Sequence, residues 1–255
     1  MIPVLAFVFG LVVGSFLNAV IYRLSVKDSA LRGRSYCPRC KHTLTAADLI
    51  PVVSFALLRG RCRYCRKPIS IQYPAVELAT AIAFSLLANR FLIEVSPAHA
   101  LQWFVFAAAT SFLIVIFMYD LLHYLILDAV VLPAIAVGFL GNLLLGQSPV
   151  RMLVAALAAS GFFALQYAVS KGQWIGGGDI RLGFLMGVLL SWPLILVALF
   201  LAYVVGSIVG LGLVILGSKS FGSKIPFGTF LTVATFVSLL CGRELWDWYV
   251  GSLLG

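Results

Sequence analysis

Apolar runs separated by short polar breaks occupy residues 1–22, 71–93, 100–119, 124–145, 150–170, 180–192, 194–216 and 227–250. A hydrocarbon core of about 30 Å takes roughly 20 helical residues to cross, and the runs approach that length without the alternation of barrel strands. The pattern predicts an all-α polytopic membrane protein with about eight transmembrane helices. Residues 180–216 as one helix would reach roughly 55 Å at about 1.5 Å per residue. The Ser191-Trp192-Pro193 break therefore predicts two short spans there, the sixth and seventh. The first run has no basic residue ahead of it and no small-residue cleavage pattern after it, so it reads as a retained span rather than a signal peptide.

Composition agrees with the pattern: 62% hydrophobic residues, 11% charged and a mean hydropathy of +1.07 exclude a soluble domain, in which roughly a quarter of residues are charged. The charge that remains is concentrated. Eleven of the 18 Lys and Arg residues lie between Arg23 and Lys67, which predicts that this polar segment is cytoplasmic and the amino terminus outside. Counting alternate spans puts 120–123, 171–179 and 217–226 on the cytoplasmic side as well. Lys171, Arg181, Lys219 and Lys224 agree, while Arg90, Arg151 and Arg243 dissent. The expected organisation is a first span at 1–22, a basic cytoplasmic insertion at 23–70 and a helical membrane domain at 71–255. The insertion's charge serves topology only, or binds anionic membrane lipid or an acidic partner. Nucleic acid is not an expected partner, because no aromatic stacking pattern accompanies the charge.

The insertion carries Cys37-Pro-Arg-Cys40 and Cys62-Arg-Tyr-Cys65, two C-x2-C knuckles separated by 21 residues. This is the spacing of a four-cysteine zinc site, and a cytoplasmic location disfavours disulfides as the competing explanation. A closed four-thiolate site leaves no open coordination position, so the zinc expected here is structural. His42 is a spare ligand candidate, and Cys241, alone in the last span, reads as a small buried apolar residue.

Two carboxylates stand out among the apolar runs. Asp120 ends the third span and Asp179 begins the sixth, so the predicted topology delivers both to the cytoplasmic face. Asp120 sits at a helix carboxyl end, where the macrodipole disfavours negative charge, whereas Asp179 follows Gly176-Gly-Gly178 and has the position of a helix cap. If the helices pack side by side, the pair resembles an aspartic protease dyad sharing one proton. Boundary carboxylates also carry protons in transporters, and the residues alone leave both readings standing. Asp128, about two turns into the fourth span if that helix begins near His123, is a rival partner. His123 is placed to bond Asp120 three residues back or simply to sit at the interface. Glu77, after Tyr73-Pro74, either binds substrate or snorkels.

Gly14-Ser-Phe-Leu-Asn18, Arg23, the two knuckles, Leu49-Ile-Pro-Val-Val-Ser54, Arg59-Gly-Arg-Cys62, Tyr73-Pro-Ala-Val-Glu77, Gly177-Gly-Asp179 and Pro226-Phe-Gly228 together resemble the type IV prepilin peptidases, in the family's order from about residue 10 to 230. The resemblance implies a bifunctional enzyme of the bacterial inner membrane, acting at its cytoplasmic face. Such an enzyme cuts the basic leader from prepilins and pseudopilins after a glycine, then methylates the new amino terminus with S-adenosylmethionine. By resemblance, Asp120 and Asp179 are catalytic and Cys37, Cys40, Cys62 and Cys65 hold zinc. The family's proline before the later aspartate is replaced here by Leu127. No residue spells a methyl-donor pocket, and the amino-terminal third is the place to look.

Two other readings remain. Tyr119-Asp120 and the G-x-G-D of residues 176–179 fit a presenilin-like intramembrane protease, although a Pro-Ala-Leu motif is absent. A non-enzymatic transporter or scaffold would use the same carboxylates for protons.

Overall fold

The computed structural model describes residues 1–30, 32–94, 96–218, 220 and 224–254; Lys219, cited above for orientation, lies outside them. The described chain is helical, with two isolated bridges as its only β pairing. Its elements are α1 (Ile2–Ser25), a short 3-10 helix (Ala46–Leu49), α2 (Val53–Leu57), α3 (Gln72–Phe91), α4 (Pro97–His123), α5 (Asp128–Leu144), α6 (Pro149–Ser170), α7 (Gly177–Leu190), α8 (Leu194–Ile215) and α9 (Phe227–Leu254). Each predicted apolar run has its helix. Five helices, α1, α4, α6, α8 and α9, are long and apolar enough to cross a membrane. At about 1.5 Å per residue, the 14-residue α7 reaches only roughly 21 Å. The break at 191–193 divides α7 from α8, with Ser191 at φ 59°.

The chain forms two compact units, Met1–Trp103 and Phe104–Gly255, the boundary falling inside α4. In the first unit α1 packs on α3 at backbone contact. A Cβ on Gly10 would lie 2.6 Å from the Ala81 Cα, and one on Gly14 would lie 2.7 Å from the Glu77 Cα. Two glycines four residues apart thus open one face of α1, and Glu77 and Ala81, also four apart, fill it. Without water to drive helices together, close packing of small residues is a main source of their association. Trp103 closes this unit by donating its indole N–H to the Phe84 carbonyl at 3.2 Å.

The second unit repeats the device around α7, which packs on α5, α6, α8 and α9. Gly183 and Gly187 face α6: a Cβ on Gly187 would stand 2.3 Å from both the Cα and the N of Ala156, and one on Gly183 would stand 2.5 Å from the Phe163 ring. Asn142 of α5, buried, donates to the carbonyls of Val188 and Leu189 at 2.8 and 3.2 Å, where α7 runs out of its own donors. α9 departs from helical geometry at Cys241 (φ −135°, ψ 15°), whose thiol contacts the Val237 carbonyl at 3.2 Å. Cys241 is therefore half-buried at a kink rather than fully buried in a straight span.

Candidate active site and metal centre

The knuckles of the first unit are built alike. Cys37 N–H donates to His42 O and Lys41 N–H returns to Cys37 O; Cys62 N–H donates to Lys67 O and Arg66 N–H returns to Cys62 O, all at 2.9–3.0 Å. Lys41 and Arg66, each at φ 59°, reverse the chain at matching points. Each tight turn aims two sulfurs at one place. The four Sγ atoms lie within 4.8 Å of one another, Cys37 and Cys65 at 4.0 Å. Tetrahedral zinc at about 2.3 Å from each sulfur needs sulfur separations near 3.8 Å, so these residues fit the ion. His42 is not part of the cluster: its ring stacks on Tyr64 at 3.6 Å and its Nδ1 meets Thr43 O at 2.8 Å.

Asp48 joins the two halves of this insertion. Its carboxylate accepts from Arg63 Nε at 2.7 Å, Tyr64 Oη at 3.0 Å, and the Thr45 hydroxyl and N–H at 2.8 and 3.1 Å. Burial opposes its ionisation, but these four donors outweigh burial and hold the carboxyl well below the usual carboxylate range. Glu77 neither snorkels nor faces solvent. It is buried on α3, where its Oε2 accepts the Val52 N–H at 2.8 Å.

Asp120 and Asp179 belong to the second unit and are 5% and 6% exposed. Asp120 lies in the last turn of α4, and its Oδ2 accepts the Thr229 N–H at 3.0 Å, at the first turn of α9. That contact requires Gly228, whose Cβ, if present, would stand 2.8 Å from the same oxygen. Asp179 is the third residue of α7 rather than ahead of the helix. Its Oδ2 accepts the Gly176 N–H at 2.9 Å, half of a capping box.

Ile126, buried in the loop between α4 and α5, links the two sites. Its Cβ would lie 2.8 Å from a Cβ on Gly178 and its Cδ1 3.1 Å from one on Gly228. One side chain therefore touches the residue before Asp179 and the residue against Asp120. The Asp120 charge is among those acting on Asp179. The arrangement gives two buried carboxylates, each positioned by a backbone N–H, beside backbone without side chains.

The other candidates lie elsewhere. Asp128 starts α5 rather than sitting two turns inside it, and it pairs with Arg181 of α7, leaving it no claim on Asp120. His123 continues α4, but its ring packs against Tyr119 at 4.5 Å, and the Asp120 carboxylate accepts from Thr229 N–H instead. Sequence reasoning overlooked Thr229 and Ile126, which are ordinary apolar or polar letters. It also passed over Gly10/Gly14 and Gly183/Gly187, where the four-residue glycine spacing was a usable signal.

The chain matches the family described as Bacterial Peptidase A24 N-terminal domain over residues 8–91, and the Type IV leader peptidase family over residues 107–211. A prepilin leader peptidase/N-methyltransferase of Aeromonas salmonicida is 33% identical, the match covering 98% of this chain and 94% of that protein. The protein of the same name from Bacillus subtilis is 32% identical over 98% of both chains. That of Legionella pneumophila is 30% identical, over 95% of this chain and 92% of its own. No solved structure matches. With both halves of the chain matched in order and near full-length relatives at this identity, the protein is a member of the type IV leader peptidase family.

Proposed function

We propose that this membrane protein is a prepilin leader peptidase that also N-methylates the terminus it creates. The observation that supports the peptidase reading is that Ile126 packs against both Gly178, the neighbour of Asp179, and Gly228, which abuts the Asp120 carboxylate, with both aspartates buried in one unit. One carboxyl is ionised and takes a proton from a water held between the pair. The water oxygen attacks the scissile carbonyl carbon. The protonated carboxyl donates to the developing oxyanion, and collapse of the tetrahedral species expels the amine with a proton from the pair. Gly176, Gly177 and Gly178 allow a substrate backbone to approach Asp179. The substrates are type IV prepilins or pseudopilins, cut after glycine. The peptidase groups belong to residues 71–255, and 23–70 is the cytoplasmic insertion.

Cys37, Cys40, Cys62 and Cys65 hold a structural zinc, which neutralises four sulfurs that would otherwise repel and ties two short turns together. S-adenosylmethionine supplies an electrophilic methyl group for transfer to the new amine. The protein sits in the bacterial inner membrane, amino terminus outside, with the zinc insertion and the carboxylates at the cytoplasmic face, where the exposed Lys and Arg residues of the insertion meet anionic lipid.

Incubation of the purified protein with a prepilin, followed by mass analysis of both products, tests the reading. Cleavage after glycine ahead of the apolar segment, with one methyl group added to the mature terminus when donor is present, is expected. Cutting inside the apolar segment would instead favour a presenilin-like protease, and intact substrate a transporter or scaffold.

A further inference from the structure

The first unit holds a cavity of about 390 Å³ with no part in the peptide hydrolysis described above. Its size suits a small molecule. Arg23, at the end of α1, lines it while only 6% exposed. The guanidinium donates to the carbonyls of Ala30 and Gly33 at 3.2 and 2.8 Å, and no carboxylate among the described residues is in ion-pair contact with it. Glu77, 7% exposed, lines the same cavity and has no cationic partner among the described residues. A buried charge without a counter-charge is costly. Two of opposite sign around one cavity fit a ligand that brings both.

Exposed Arg34, Arg39 and Lys67 and the Asp48–Arg63 pair also border the cavity, and aromatic side chains form part of its wall. Tyr22, Tyr36 and Tyr73 line the cavity, the first two meeting edge to face with ring centroids 5.8 Å apart. Such faces accept a planar base or a sulfonium cation. The chain beside them is strained. Val52 sits at φ 60°, ψ −46°, with the Val53 N–H donating to Pro51 O at 2.5 Å. This is the rarer form of γ-turn, at a β-branched residue. Glu77 holds it through the Val52 N–H at 2.8 Å. Strained turns persist where their surroundings over-determine them, commonly at ligand sites.

We infer that this cavity is the methyl-donor site, binding S-adenosylmethionine with its carboxylate on Arg23, its ammonium toward Glu77 and its adenine against the tyrosines. The inference rests on the methyltransferase reading above. In the transfer, the lone pair of the neutral terminal amine attacks the methyl carbon. The N–C bond forms as the C–S bond breaks, the electron pair passes to sulfur to leave S-adenosylhomocysteine, and the amine's surplus proton goes to water.

Equilibrium dialysis of radiolabelled S-adenosylmethionine against the full-length protein in lipid nanodiscs tests the site. Glu77→Gln keeps an acceptor for Val52 and removes only the charge; Arg23→Met removes the cation together with its donation to the Ala30 and Gly33 carbonyls. Each is expected to weaken donor binding at least tenfold, and unchanged affinity in both would overturn the site. Ultraviolet cross-linking of the labelled donor to the wild-type protein needs no variant to fold: label within residues 15–77 is expected, and label confined to residues 104–255 would overturn the site while leaving methyl transfer intact. If the wild type neither binds donor nor methylates a cleaved pilin, the methyltransferase reading fails and this inference goes with it.

Discussion

The buried carboxylates Asp120, Asp179 and Glu77 each accept from a backbone N–H, and that makes their neighbours critical. Gly228 is the clearest case, since any Cβ there would stand 2.8 Å from the Asp120 carboxylate. Gly228→Ala is expected to lower cleavage roughly 10²-fold, as displacements of about 1 Å at a reacting group do; a rate within twofold of wild type in the prepilin assay would show that Asp120 need not stay where Thr229 holds it. Asp48 offers a pH test. Its carboxyl is depressed in the folded protein, so its stabilisation is fully present above the ordinary unfolded value of about 3.9 and fades as pH falls below that. The melting-temperature advantage of wild type over Asp48→Asn should therefore be constant from neutral pH to about pH 5 and shrink toward pH 3. An advantage that grows on acidification would reverse the assigned sign. The aspartates themselves were legible because carboxylates rarely end apolar runs, whereas Thr229 was not, because its contact with Asp120 spans 109 positions.

At the scale of elements, hydropathy located the helices but not their contacts. The break between α7 and α8 was readable from Ser191-Trp192-Pro193, and α5 was placed too early because 124–127 are as apolar as the helix that follows. That misplacement turned Asp128 from the first residue of α5 into an apparent rival within it. Helix contacts depend on glycine spacing instead. Gly187→Ala should cost about 1–3 kcal/mol, since its Cβ would strike the Ala156 backbone at 2.3 Å. Gly161→Ala, on α6 with nothing within 4 Å, should be neutral or slightly stabilising. Paired thermal unfolding in the same detergent compares them; equal melting temperatures would mean that α6 and α7 do not need close approach.

For the whole molecule, the four-cysteine cluster and the cavity proposed for the methyl donor belong to the unit Met1–Trp103, and the two buried aspartates proposed as catalytic to Phe104–Gly255. Cysteine spacing alone announced the cluster because C-x2-C turns are local. The aspartate site depends on side chains 59 positions apart, and Ile126, which joins them, carries no chemical signal of its own. Metal analysis should find one zinc per chain, lost in Cys37→Ser combined with Cys40→Ser while leader cleavage continues; unchanged zinc content would exclude these ligands. The joint action of the two aspartates is tested most directly by Asp120→Asn and Asp179→Asn, made singly and assayed on a prepilin with mass readout. Each should lower cleavage at least about 10³-fold, because neither carboxylate alone can both activate water and protonate the leaving amine. Either variant cutting near the wild-type rate would contradict the account.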